Sequence, residues 1–497
     1  MKDLQRLVKI IDTYSPSATP LLNLQDETIM ETKLFNLLKE GQVCSDEEIA
    51  QALYGSSKAA ASYRMLKSRF RRKLLNHIHF LDLTNKDLGN RLVITQQCLS
   101  LLHEANFLYS MSEGRMADKL LDQMLDLAER YELTDQKVKA LELKQQICMS
   151  LRDERKYKIN DEELLKAQKV RDIEAKAQRT YQLLMLQHHN SVKSRGQMME
   201  QYPKVLQDLR ESWHVTGASC VYFYYNLLRN HYLELQGDYK SILEAVEETE
   251  RLHLEGKLND SWYSMLYNNY SKVYALLQVR DYERGLIEAA KHLKNFTPHS
   301  YNWYAFMENY LLLAIHGKQN ELMIELLGQA LVNNQYTKIS VLNREKYEVI
   351  RRYVVLVLRS EYGGEQLHQG KKFTEHLTIL PKDKSGFNLA LLVLDVLEKL
   401  SCGELDDLEP QAERVRKYAQ KYLKGEKAER PRLFLRLLLL ALTKQDAALA
   451  REQGQKLLER LKGTPLPGDA FAEVEIVPYE HLWEYTLAIL EKNNNLR

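Results

Sequence analysis

Long stretches of the chain place apolar and polar residues with the period of an α-helix, and short polar or glycine-containing breaks separate them. Two such stretches, "CVYFYYNLLRNHYLELQ" and "YKSILEAVEETERLH", flank the break "GD" and predict a helical hairpin. Consecutive breaks lie 37 to 45 residues apart. Their predicted centres are Glu113, Glu154, Arg195, Asp238, Asp281, Lys318, Gly363, Gly403 and Gln445.

A single hairpin cannot bury the apolar faces of both its helices, whereas hairpins stacked in a row can share them. The breaks divide residues 81–497 into about nine such units. No proline occurs between Pro20 and Pro203, and that stretch is rich in Leu, Ala, Glu, Lys and Gln, which favour helices. The pattern therefore predicts an all-α protein whose main part is an α-solenoid.

Three segments resemble the inter-helix turn and second helix of tetratricopeptide-type repeats: Met116–Leu133, Gly237–Ala245 ("GDYKSILEA") and Arg280–Ala289 ("RDYERGLIEA"). The resemblance implies a right-handed superhelix of helical hairpins. Tetratricopeptide units repeat at about 34 residues and HEAT or armadillo units at about 40–47. We therefore expect a degenerate tetratricopeptide-like array with lengthened helices, with an α-solenoid of another type as the broader alternative.

A small helical domain is predicted at residues 28–80, behind a lead segment at residues 1–27. Ser45 and Glu48 have the spacing of a capping box, so a helix should begin at Asp46. Gly55 ends that helix, and "IMETKLFNLLKEG" supplies another one before it. A third helix carries an apolar stripe of Tyr63, Leu66, Phe70 and Leu74. Three short helices with a tight turn before the last follow the plan of a helix-turn-helix domain.

The segment "IAQALYG…YRMLKSRFRRKLL" also resembles the end of the winged-helix domain of bacterial response regulators and related activators, some of which carry a tetratricopeptide-like domain. The resemblance implies DNA binding by the third helix. Seven bases and no acid lie between Lys58 and Lys73, off the apolar stripe, as phosphate contact requires. The residues predicted to contact nucleic acid are Lys58, Arg64, Lys67, Arg69, Arg71 and Arg72. The alternative is that these helices only cap the solenoid, with their basic side chains solvated or paired with acids.

An aromatic belt is predicted to form a binding groove. Thirteen of the 29 tyrosines lie between Tyr222 and Tyr310, and asparagines accompany them in the first helices of three successive units. Aromatic rings give contact area at low entropy cost, and an amide can both donate to and accept from a peptide backbone. The arrangement is similar to that of tetratricopeptide proteins, including peptide-sensing bacterial regulators, that hold extended peptides with asparagines. The predicted binding residues are Tyr225, Asn226, Asn230, Tyr263, Tyr267, Asn268, Tyr304 and Asn309; alternatively, many of these aromatics are core residues.

Catalytic, cofactor and metal motifs are absent from the sequence: it has no GxGxxG, GxxxxGK[ST], HExxH or GxSxG, and its histidine pairs are badly spaced for a metal. The five cysteines form no CxxC, which is typical of a reducing compartment. No stretch approaches the roughly 20 apolar residues of a membrane span. We therefore expect a cytoplasmic, non-enzymatic protein without cofactor, metal or membrane partner.

Two functions follow as hypotheses. The first is a scaffold or regulator that binds a protein or peptide in the aromatic groove. The second is a DNA-binding transcription regulator whose helix-turn-helix responds to a ligand or partner on the solenoid. The net charge of +2 restricts any nucleic-acid contact to a local patch, since residues 1–80 carry +3 of it and the rest −1. The pattern leaves the partner's identity and the oligomeric state open.

Overall fold

The described part of the chain is entirely helical, which confirms the all-α prediction. The computed structural model describes residues 6, 21–40, 45–55, 60–78, 80, 90–188, 192–332, 336, 339–362, 387–401, 408–423, 428–464 and 475–495. These residues form twenty α-helices and one short 3₁₀ turn, and they contain no β-strand. Among them, no helix is both long and apolar enough to cross a membrane.

Contacts between Cα atoms divide the chain into two units, residues 1–168 and 169–497, and the division falls inside one long helix. The predicted boundary at residue 80 lies beside residues 81–89, which are outside the described residues, and it stays a prediction. The first unit contains α1 Met30–Glu40, α2 Asp46–Tyr54, α3 Ala60–Ile78, α4 Asn90–Ser110, α5 Gly114–Arg130, α6 Thr134–Leu151 and the first half of α7 Glu154–His188.

The second unit begins within α7. Its further helices are α8 Val192–Thr216, α9 Ser219–Gln236, α10 Tyr239–Leu254, α11 Met265–Gln278, α12 Tyr282–His292, α13 Tyr301–His316, α14 Asn320–Leu331, α15 Val341–Tyr362, α16 Phe387–Ser401, α17 Leu408–Tyr422, α18 Glu429–Lys444, α19 Ala447–Gly463 and α20 Tyr479–Asn495. Each of these helices packs on the next in the chain, as stacked hairpins do.

The helices α1 to α3 share a small hydrophobic core. The predicted capping box is present, since the Ser45 Oγ accepts from the Glu48 amide at 3.3 Å and the Ser45 amide donates to Glu48 at 3.1 Å. Gly55 ends α2 with φ of 66°. The core consists of Leu22, Leu34, Ile49, Ala50, Tyr63, Leu66 and Phe70, so most of the predicted stripe of α3 faces inward.

Six short turns, of two or three residues between consecutive helices, have the same geometry. In each, one residue with positive φ ends a helix, and the amide of the next residue donates to the carbonyl five positions back, as in a Schellman motif. The donor residues are Glu113, Leu133, Asp153, Asp238, Asp281 and Gln319, at 2.8–3.0 Å. Asp238 and Asp281 then cap the following helices by accepting from the amides of Ser241 and Arg284.

Five of the nine predicted break centres lie in or beside these turns: Glu113, Glu154, Asp238, Asp281 and Lys318. Gln445 also marks a turn, in which φ is 50° and the following Asp446 caps α19. The centre predicted at Arg195 is wrong by a few residues, because α7 ends at His188 and Arg195 lies in α8. Gly363 and Gly403 lie outside the described residues.

The last helix, α20, packs on four others, α15, α16, α18 and α19. A buried ion network anchors its start. Arg430 is 1% exposed and contacts the carboxylates of Glu475 and Glu480, while Arg280 reaches Glu480 at 3.2 Å. His316 Nε2 lies 2.6 Å from the Glu475 carbonyl oxygen. Glu475, just before α20, therefore contacts the end of α13, and Glu480, in the first turn of α20, contacts the turn after α11.

Candidate functional site

The predicted groove residues are mostly buried. Of the eight, only Tyr267 is half-buried, and the other seven have less than a tenth of their surface exposed. They lie on α9, α11 and the α13 region, apart from Tyr263, which precedes α11. These residues divide into two groups by how their polar atoms are used.

Asn226, Tyr263 and Asn268 belong to an internal network. The Asn226 amide donates to the Tyr263 hydroxyl, which lies 3.5 Å from Asn268 Oδ1. The Asn268 amide donates to the Val246 carbonyl at 3.3 Å. These side chains join α9, α10 and α11 and hold one another, so their hydrogen-bonding capacity is largely used inside the protein.

Arg229 lies at the centre of this network, although no pattern in the sequence singles it out. Its Nη2 donates to Asn226 Oδ1 at 2.7 Å and to the Ala245 carbonyl at 3.1 Å, and its Nη1 contacts Glu248. The guanidinium also lies over the Tyr225 ring, 5.0 Å from its centroid. Tyr225 is therefore a structural partner of a buried cation.

Asn230, Asn309 and Tyr304 form the second group, in which buried polar atoms make no close hydrogen bond to the described residues. Neither Nδ2 nor Oδ1 of Asn230 has a hydrogen-bond partner among the described residues. The same holds for Asn309 Nδ2 and the Tyr304 hydroxyl. Leaving a buried polar group unpaired costs about 1–3 kcal/mol, so such atoms mark places where a ligand or water can supply the missing bond.

Tyrosines of α11 lie between these asparagines. Burial raises the pKa of Tyr267, and the Asn230 and Ser271 side chains partly oppose the rise. Burial also raises the pKa of Tyr270 to about 12, with the Asn309 side chain in opposition. Each hydroxyl is therefore neutral at pH 7 and lies close to one asparagine amide. Asn230, Tyr267, Tyr270 and Asn309 make one polar face across α9, α11 and α13, which we call the asparagine–tyrosine face.

The basic helix α3 exposes most of its predicted nucleic-acid residues. Arg64, Arg69, Arg71 and Arg72 are exposed. Lys67 is paired with Asp46 at 2.7 Å, and the Tyr63 hydroxyl donates to the same carboxylate at 3.1 Å. Lys58 lies outside the described residues.

The described residues contain no group of three or more His, Cys, Asp or Glu side chains that could hold a metal. Cys98, Cys148 and Cys220 are buried, and burial raises the pKa of Cys98 and Cys148. No protein-family model matches the chain, and no curated protein or solved structure matches it significantly.

Proposed function

We propose that the protein is a non-enzymatic scaffold or regulator, a tetratricopeptide-like superhelix of about nine hairpins that binds a peptide or protein. The asparagine–tyrosine face is its contact surface. The observation that supports this proposal is the burial of both amide atoms of Asn230, and of Asn309 Nδ2, without close hydrogen-bond partners in the described part of the chain. Buried cysteines that are not joined in disulfides, Cys98, Cys148 and Cys220, fit a reducing, cytoplasmic setting.

A peptide backbone offers what these amides lack. Each residue of an extended peptide presents one N–H donor and one C=O acceptor, and an asparagine amide pairs with both. Tyr267 and Tyr270 add ring surface between the two asparagines. Asn226 and Asn268 have internal partners, so we assign them to the structure and not to the ligand.

Affinity purification from the native host, with mass spectrometry, tests this function. The intact protein should return a stoichiometric protein or peptide partner, and Asn230→Ala with Asn309→Ala should lose it. The exposed Asn302 of α13 provides the matched control, because Asn302→Ala removes an amide outside the face. Circular dichroism should show that both variants fold. Retention of the partner by the double variant, or no partner for the intact protein, would count against the proposal.

DNA binding by α3 is the second candidate, because Arg69, Arg71 and Arg72 are exposed on a helix whose opposite face fills a separate small core. Phosphate contacts make binding depend on salt, with a slope of log K against log salt of about −0.9 per contact. Arg71→Ala with Arg72→Ala should therefore reduce the magnitude of this slope by about 2 in gel-shift titrations at several salt concentrations. Lys456→Ala with Lys462→Ala, at exposed positions of α19, should leave it unchanged. Absence of any shift at low salt would remove this candidate.

A further inference from the structure

A groove runs between α8 and α10, with α9 as its floor. It consists of two adjoining cavities of about 490 and 760 Å³, which share Glu248 and Arg251 as wall residues. Ligand pockets in proteins commonly measure about 300–1,000 Å³. The groove is separate from the asparagine–tyrosine face, whose residues do not line either cavity.

The smaller cavity carries an unused hydrogen-bond donor. Trp213 lines it, and the buried indole Nε1 has no partner within the described residues. The ring is held in place, since its centroid lies 4.9 Å from that of Tyr222. An indole N–H can only donate, so the atom that it lacks is an acceptor.

Positive charge surrounds this donor. Arg251 and Lys257, which line the same cavity, supply this charge. The acid on this wall, Glu248, is already paired with the buried Arg229, whose side chain is 12% exposed. In the adjoining larger cavity, the Nε of Arg229 is also buried and has no partner among the described residues. The Trp213 end of the groove therefore combines one unfilled donor, the indole N–H, with the cationic side chains of Arg251 and Lys257.

An internal carboxylate indicates what these cations hold. Glu255 lies 2.7 Å from Lys257 Nζ and 3.9 Å from Arg251 Nε. Its side chain is 42% exposed, next to the end of α10, so it can leave these cations without breaking the core. The two bases are thus spaced to share one oxyanion, and an incoming group would replace Glu255.

We propose that the Trp213 end of this groove is a binding site for the oxyanion of a small ligand, either a carboxylate or a phosphate. Trp213 Nε1–H donates to one oxygen, and Arg251 and Lys257 supply charge-assisted bonds to the others. The acidic residue Glu244, which lines the larger cavity, disfavours a ligand that carries negative charge along its whole length. This site does not depend on the peptide-binding function.

Fluorine NMR of the full chain labelled with 5-fluorotryptophan tests the site directly, because the protein has four tryptophans, Trp213, Trp262, Trp303 and Trp483. Inorganic phosphate and citrate are titrated separately, so the two arms distinguish phosphate from carboxylate. The Trp213 resonance, assigned by its absence in Trp213→Phe, should shift in a saturable way while the other three stay in place. A shift of all four resonances together, or none in either arm, would overturn the proposal.

Charge variants give a second readout on the same resonance. Arg251→Gln with Lys257→Gln should weaken binding by about tenfold or more, since each lost bond is charge-assisted. Glu255→Gln should tighten binding severalfold, because it removes the internal competitor while keeping the side-chain size. Lys456→Gln with Lys462→Gln is the matched control and should bind as the unchanged protein does. Equal affinity in the Arg251/Lys257 variant, or weaker binding in Glu255→Gln, would contradict the site.

Discussion

Replacement of Arg430 by methionine should destabilise the second unit strongly. The guanidinium makes six contacts of 2.6–3.1 Å, with the carboxylates of Glu475 and Glu480 and with the carbonyls of Leu461 and Thr464. Methionine fills a similar volume without forming any of these bonds, so the cavity contribution is small.

The size of the stability loss follows from the two carboxylates that stay buried when Arg430 is replaced. The side chains of Glu475 and Glu480 are 5% and 10% exposed, and without Arg430 only Arg280 still offsets them among the described cations. Removing one partner of a buried ion network costs about 3–5 kcal/mol. Arg436→Met, on the exposed face of the same helix, should change the free energy of unfolding by less than about 0.5 kcal/mol.

Urea unfolding followed by tryptophan fluorescence measures this effect, because all four tryptophans lie in the second unit. Adding Glu475→Gln and Glu480→Gln to Arg430→Met should restore part of the loss, since the two uncompensated charges are then gone. A difference of less than about 1 kcal/mol between Arg430→Met and the unchanged protein would refute the reasoning.

The same network predicts a pH effect. Burial disfavours the charged form of Glu480, but Arg430 outweighs it and holds the pKa of Glu480 below its usual value. A carboxyl with a depressed pKa stabilises the fold above its unfolded pKa of about 4.5, and the contribution is lost as pH falls through the folded pKa. On acidification, the Arg430→Met variant should therefore lose less unfolding free energy than the unchanged protein does.

Substitutions at glycines, at Arg152 and at His316 also have outcomes that unfolding experiments can measure. A Cβ at Gly454 would lie 3.0 Å from Trp483, so Gly454→Ala should lower the free energy of unfolding by about 1–3 kcal/mol. At Gly328, in helix α14, a Cβ would have nothing within 4 Å, so Gly328→Ala should instead raise it by up to about 1 kcal/mol. Equal effects of the two substitutions would be evidence against close packing at Gly454. Arg152 has φ of 58°, so Arg152→Gly should be more stable than Arg152→Ala by about 1 kcal/mol. Circular dichroism measures this difference, because Arg152 lies in the first unit, which has no tryptophan. No difference would mean that the turn carries no strain. Burial lowers the pKa of His316 to about 4. The free energy of unfolding should therefore fall by about 3 kcal/mol as the pH is lowered from 6.5 towards 4. His316→Gln should flatten that decline, and an unchanged pH profile in this variant would contradict the prediction.

Local signals explain which parts of the fold could be predicted. Asp238 and Asp281 follow a residue that ends one helix and cap the next, so a short sequence window contains the whole turn. Arg195 failed as a centre because the residues "SRG" look like a break, yet α8 begins before them. Composition of a window does not determine whether the chain there is held in a helix by contacts made elsewhere.

The site depends on distant residues and was therefore only partly predictable. Asn226 and Asn230 are one helical turn apart, and the sequence treats them alike. The Asn226 amide donates to Tyr263, which comes from 37 positions along the chain, and its Oδ1 accepts from Arg229, whereas neither amide atom of Asn230 makes such a bond to the described residues. Arg229 and Arg430 were missed for the same reason, since an isolated arginine in a helix pattern is usually a solvated one.

Near its end, α20 supplies donors to the carboxyl ends of two earlier helices. Lys492 donates to the Arg359 and Ser360 carbonyls of α15, and Asn493 donates to the Leu400 carbonyl of α16. In an array where each repeat meets only its neighbours, shortening one end removes a repeat and spares the rest. Here, deleting the last few residues would uncap helices more than ninety positions upstream. Fragments intended for crystallisation or binding studies should keep α20 whole and be trimmed from the other end.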